Sequence, residues 1–118
     1  MMKTLVEFIQ LESIVRFGTE PDNPALLLRY LSMSRQLASE HQQQRAQRQF
    51  HLQVANLLID TVCDTYLPYH WRCSCLDVIH IPIFNAQHLN RSNRDKQEIN
   101  SMFREVNQLG NYFLTCQE

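Results

Sequence analysis

Gly18 and Gly110 are the only glycines in a chain of 118 residues. Tight turns need residues at positive φ, and glycine supplies most of them. A chain this poor in glycine cannot build a fold from many hairpins. Four prolines leave long runs in which nothing interrupts a helix. The sequence therefore predicts an all-α fold. It is read as a small helical bundle of three to five helices around one core, spanning residues 1–118 as a single domain, with an irregular segment near residues 66–91.

The apolar pattern places the helices. Residues 3–17 read as a first helix, with Leu5, Phe8, Ile9 and Glu12 on one face and Val6, Ile14 and Phe17 widening it. Gly18 is a natural stop. Asn23 can cap the next helix, with Pro24 in its first position, where a missing N–H costs nothing. From Ala25 helical character continues for about forty residues without Gly or Pro. Leu27, Tyr30, Leu31 and Leu37 form one apolar group and Phe50, Val54, Leu57, Leu58 and Val62 another. Residues 39–49 between them are polar. Two helices broken near residues 39–44 are one reading. Good helix formers and the lack of a breaker favour the other, one continuous helix.

Pro68 and Pro82 punctuate residues 66–91. Trp71, Cys75, Val78 and Ile79 fit one face of a short helix starting near Pro68. Ile79, Ile81 and Ile83 also alternate as in a strand, which Pro82 would push to an edge. No partner strand is evident, so the expectation for residues 76–84 is the end of that helix and then an extended connector. Residues 93–116 form the most regular helix. Ser92 and Asp95 resemble a capping box, and Ile99, Phe103, Val106, Gly110 and Phe113 make one stripe. This helix is expected to pack against residues 24–38 and 50–64.

Charge narrows the function classes. Eleven Lys and Arg oppose twelve Asp and Glu, for a net charge of −1. A dedicated nucleic-acid binder carries a basic excess, because phosphate contacts supply most of its affinity. The balance is uneven along the chain: residues 29–51 hold Arg29, Arg35, Arg45 and Arg48 against Glu40 alone. The Gln/Arg-rich residues 41–53 have the composition of a recognition helix without the short turn that should precede it. No secretory signal and no membrane-spanning apolar run are visible. Cys63, Cys73, Cys75 and Cys116 then read as reduced thiols of a cytoplasmic protein.

Candidate chemistry is sparse. There is no phosphate-binding glycine loop and no paired-carboxylate pattern. Cys63, His70, Cys73, Cys75 and His80 concentrate thiols and imidazoles within one segment. His70, Cys73, Cys75 and His80 are the ligand types zinc takes, but their spacing matches no usual pairing. His70 and Cys73 have the spacing of a thiol–imidazole dyad on a helix face, without a third orienting group. Small buried thiols and ordinary surface histidines are the plainer explanation. Tyr66, Tyr69, Trp71 and Arg72 gather around Pro68, and such residues dominate protein-interface energetics. A hydrophobic plug at one end of the bundle is the structural alternative.

The expectation is a non-enzymatic cytoplasmic module of the adaptor, chaperone or regulator type. It would bind a protein partner through Tyr66, Tyr69, Trp71 and Arg72, with Arg45 and Arg48 as a polar rim. No cofactor is implied. A homodimer is favoured, because the polar middle of one long helix needs bracing. The alternatives are a DNA-binding regulator using residues 41–53 and a zinc- or thiol-dependent site within residues 63–80.

Overall fold

The computed structural model describes residues 2–113. They form six helical segments: α1 (Met2–Phe17), α2 (Ala25–Ser39), α3 (Gln44–Cys63), α4 (Tyr69–Val78), α5 (His80–Gln87) and α6 (Asn93–Phe113). Among the described residues there is no strand. The all-α bundle expected from glycine scarcity is what forms. Ile79 ends α4 and begins α5, so these two segments make one bent unit.

The third helix is the shaft of the bundle, and each of the other five packs on it. Its sequence explains this position. Arg48, His51, Leu52, Val54, Ala55, Leu58, Ile59, Thr61 and Val62 are buried. Beyond the first residue, Gln44, only the line Arg45, Gln49, Gln53, Asn56 and Asp60 stays exposed, at the three- and four-residue spacing of a helix edge. Every residue on that edge is polar. Around the shaft one connected core runs from Phe8 and Tyr30 through Leu58 and Val62 to Trp71, Ile83 and Ile99.

The expected continuous helix over residues 25–64 is corrected by the structure, which breaks it at Glu40–Gln43. Glu40 N donates to Leu37 O and His41 N to Ala38 O. Gln43 is extended at φ −95° and ψ 133°, and Gln47 Nε2 donates to His41 O at 2.7 Å. The break needs no Gly or Pro, because burial decides it. A straight helix would point its two apolar groups along one line, whereas the turn folds both onto a shared core. Each buried Leu, Val or Phe contributes about 1.5–3 kcal/mol, far more than the propensity of a few polar residues.

Three local expectations also change. On α1 the buried face is Phe8, Leu11 and Val15, while Leu5 and Ile9 are about half exposed. Within residues 76–84, α4 ends at Val78 as a helix end was expected, and the extended connector after it is instead α5. Pro82 sits in its first turn, where no backbone N–H is needed, and Ile79, Ile83 and Ala86 are buried at helical spacing. The long C-terminal helix takes α5 and α3 as its main neighbours rather than α2. Its start is the expected one: Asp95 N donates to Ser92 Oγ at 3.1 Å. Residues 114–118, including Cys116, lie outside the described part.

Gly18 carries φ +56°, the only positive φ among the described residues. The next turn brings the chain back to Pro24, whose φ of −66° and ψ of −17° lead directly into α2. Asn23 serves that helix through its backbone carbonyl, which accepts from Leu26 N, and not through its side chain.

Candidate functional site

The expected aromatic patch divides into a buried half and an exposed half. Trp71 is fully buried, and its Nε1–H donates to Val15 O at 2.9 Å. Arg72 is 6% exposed, with Nε donating to Val62 O at 2.8 Å. These two residues therefore form the plug that closes one end of the bundle, and their expected place on a binding surface is corrected. The reason is the start of α4: Pro68 accepts the Trp71 and Arg72 N–H groups, and this first turn faces Trp71 inward.

Tyr66 and Tyr69 remain outside, at 97% and 48% exposure. The backbone beneath Tyr66 is fixed. Asp64 Oδ1 accepts from Tyr66 N at 3.1 Å, and Asp64 Oδ2 accepts from Arg16 Nη1 at 2.9 Å. The Arg16 guanidinium holds the Asp64 carboxyl below its ordinary range, helped by the Tyr66 N–H. The Arg16 guanidinium also lies 5.4 Å from the centre of the Phe17 ring, itself 58% exposed. One ion pair between the ends of α1 and α3 thus joins Phe17 to the Tyr66 loop. Sequence reading missed Phe17 as a surface residue. Its position immediately before the Gly18 stop is the signal, since a last helical residue is free to leave the buried face.

At the opposite end of α3 the two arginines expected at a polar rim are held by carboxylates. Arg45 donates to both oxygens of Asp95, at 2.6 and 3.3 Å. Arg48 is 2% exposed. It donates to Asn90 Oδ1, Glu98 Oε1 and Asp95 O at 3.1, 2.8 and 3.2 Å. Asp95 also accepts from Arg91 N at 2.8 Å. The Arg45 hydrogen bond, followed by that of Arg91 N–H, holds the Asp95 carboxyl at about 2. Arg48 is thus a buried tie between α3 and the start of α6, which corrects its expected role at a rim or on DNA. Arg45 is half exposed but is spent on the same carboxylate.

The segment 63–80 does not assemble a metal centre. Among the described residues no three His, Cys, Asp or Glu side chains come together to hold an ion. Cys75 is fully buried, and burial pushes its thiol up to about 12. Cys63 is half-buried and is likewise raised, chiefly by burial. His70 Nε2 lies 3.0 Å from Asp22 Oδ1 in the turn after α1. His80 is exposed and packs edge-on against Phe84. Cys73 is half-buried. Burial thus moves Cys63 and Cys75 away from the thiolate a nucleophile needs.

A second apolar surface lies on α1, where Leu5, Val6 and Ile9 are 48%, 50% and 55% exposed. They share one side of the helix, away from Phe8, Leu11 and Val15. No helix among the described residues is long and apolar enough to cross a membrane. No family model, no curated protein and no solved structure matches this chain.

Proposed function

We propose that this chain is a non-enzymatic cytoplasmic interaction module, of the adaptor, chaperone or regulator kind, that binds one protein partner through its aromatic end. The observation that carries this reading is Tyr66, almost wholly exposed on a backbone pinned by the Arg16–Asp64 pair. Tyrosine offers a large apolar face and a polar tip with few torsions to freeze. A loop already fixed by an ion pair loses less entropy on binding. Phe17 and Tyr69 widen the same end, and Trp71 beneath them supplies rigid support. Partner-binding residues on this reading are Phe17, Tyr66 and Tyr69. The partner would present an apolar face able to cover them.

The test is a triple Ala variant at Phe17, Tyr66 and Tyr69. It should keep the helical circular dichroism and melting behaviour of the parent, because these side chains are mainly outside the core. It should lose the partner. Tyr66→Ala alone should weaken binding about tenfold or more, since interface hot spots are worth about 2 kcal/mol and upward. Unchanged binding by the triple variant contradicts the reading.

Self-association is a second reading, now supported by a different feature. The long helix that called for bracing is broken at residues 40–43, so its argument for a homodimer falls away. The exposed Leu5, Val6 and Ile9 face of α1 supports a dimer in its place. Sedimentation should then show a dimer that Ile9→Lys converts to monomer. A parent protein that is monomeric at every concentration contradicts it.

A further inference from the structure

A cleft between α2, α3 and the end of α5 holds about 310 Å³, at the small end of ligand-binding volumes. It lies about 20 Å along the α3 axis from the Tyr66 end. Its polar lining is Arg35, Ser39, Gln47, His51, Asn85 and His88. No carboxylate contributes to the lining. Arg35 reaches into it from α2 with no acidic side chain in ion-pair range among the described residues.

His51 sits at the floor, 7% exposed, and its buried Nδ1 has no hydrogen-bond partner. Buried polar atoms almost always have one, so an orphan beside a polar cleft asks for an explanation. Burial, and then the Arg35 charge, lower the His51 pKa. Both effects favour the neutral imidazole. The other polar groups are partly committed in a consistent direction. Ser39 Oγ donates to Gln36 O, and one Gln47 N–H donates to His41 O. A second Gln47 N–H, the Asn85 amide and the Arg35 fork remain as donors. His88 Nδ1 is 2.7 Å from Phe84 O, which places its proton there and leaves Nε2 for the cleft or solvent. One cation, two imidazoles and two amides without an acid suit an anion of tetrahedral or planar oxygens.

We propose that this cleft is a binding site for a small phosphate-type oxyanion, held by Arg35 and by the amides of Gln47 and Asn85, with His51 taking a proton as the anion arrives. The anion is either inorganic phosphate or the phosphate of a small monoester, and the chemistry of recognition is the same. By linkage, an anion that prefers the imidazolium raises the His51 pKa.

The experiment titrates inorganic phosphate, and in parallel phenyl phosphate, into the ¹⁵N-labelled chain at fixed ionic strength made up with chloride. The signals followed are the His51 ring nitrogens and Arg35 Nε. A saturating shift of both is expected, with Arg35→Gln weakening binding about tenfold or more and Arg35→Lys recovering part of it. Arg35 is exposed, so both variants should fold as the parent does, which their amide spectra verify. Tighter binding of phenyl phosphate assigns the site to a monoester, and equal or weaker binding assigns it to the free anion. A shift still linear at tens of millimolar phosphate, or one that Arg35→Gln leaves intact, overturns the proposal.

Discussion

Cδ1 of Trp71 lies 3.0 Å from where a β-carbon would stand on Gly18. Gly18 also holds φ +56°, a conformation that costs an L-residue roughly 1–2 kcal/mol. Two independent reasons thus fix glycine at the end of α1. Gly18→Ala should destabilise the fold by about 2 kcal/mol or more in urea denaturation. Gly110 gives the opposite sign, because a β-carbon there meets only Leu76 Cδ2 at an ordinary 3.5 Å. Gly110→Ala should stabilise by about 0.5–1 kcal/mol through helix propensity. Equal effects at the two glycines would contradict both assignments.

Removing one partner of the buried Arg48 tie should be worse than removing the tie's cation. Asp95→Ala removes the carboxylate 3.6 Å from Arg48 Nη1, leaves Glu98 as the one carboxylate beside that buried cation, and should cost about 3 kcal/mol. Arg48→Met keeps the aliphatic stem in place, leaves Asp95 to Arg45, and should cost less than half as much. Urea midpoints for the two variants decide the order, and a reversed order contradicts the geometry.

Acid should act in two separate pH windows. The folded His51 pKa is depressed by burial, so below about 6.5 the unfolded chain takes up the proton first and stability falls with pH. The Asp95 pKa is depressed to about 2 from 3.8. Its contribution is complete above 3.8 and is lost as pH falls toward 2. Asp95→Asn should make the lower window shallower, with the Asp64 share remaining, and leave the upper one. His51→Gln should flatten the upper one. Thermal melts from pH 2 to pH 7 measure both, and a lower limb unchanged in Asp95→Asn refutes the assignment.

Cys75 should resist modification. Its thiol is fully buried and pushed up to about 12, so little thiolate exists at pH 8. An aromatic disulfide reagent should leave Cys75 unmodified in the native protein and react fully in guanidinium, as mapped by peptide mass spectrometry. Fast native labelling of Cys75 would reopen a thiol chemistry for residues 63–80.

Much of the fold is legible in the residues, where local chemistry and burial agree. Glycine scarcity gives the class, Gly18 the first stop, and Ser92 with Asp95 the start of α6. The face Trp71, Cys75 and Ile79 is legible as well, because its four-residue spacing follows Pro68, a natural helix start. The break at Glu40–Gln43 is not, because no residue there forbids a helix and only the packing of two distant apolar groups decides it. α5 was hidden by Pro82, which reads as a breaker until its place in the first turn is known.

The site was half legible. Tyr66 and Tyr69 are on the surface, but whether a tryptophan plugs a core or caps it depends on what stands opposite, here Val15 and Gly18. The burial of Arg48 did leave a trace. Arg45 and Arg48 are three apart on α3, and Asp95 and Glu98 are three apart on α6, a complementary pair of one-turn spacings. Net charge over a window conceals such a match.

The most direct measurement of the central claim is a photo-crosslinking scan in living cells, with a benzophenone side chain placed in turn at positions 66, 69, 17 and 53. A partner seated on the aromatic end should give one dominant adduct from positions 66, 69 and 17, and none from position 53 on the polar edge of α3. Adducts of equal yield at all four positions, or none at position 66, would contradict the aromatic end as the binding surface.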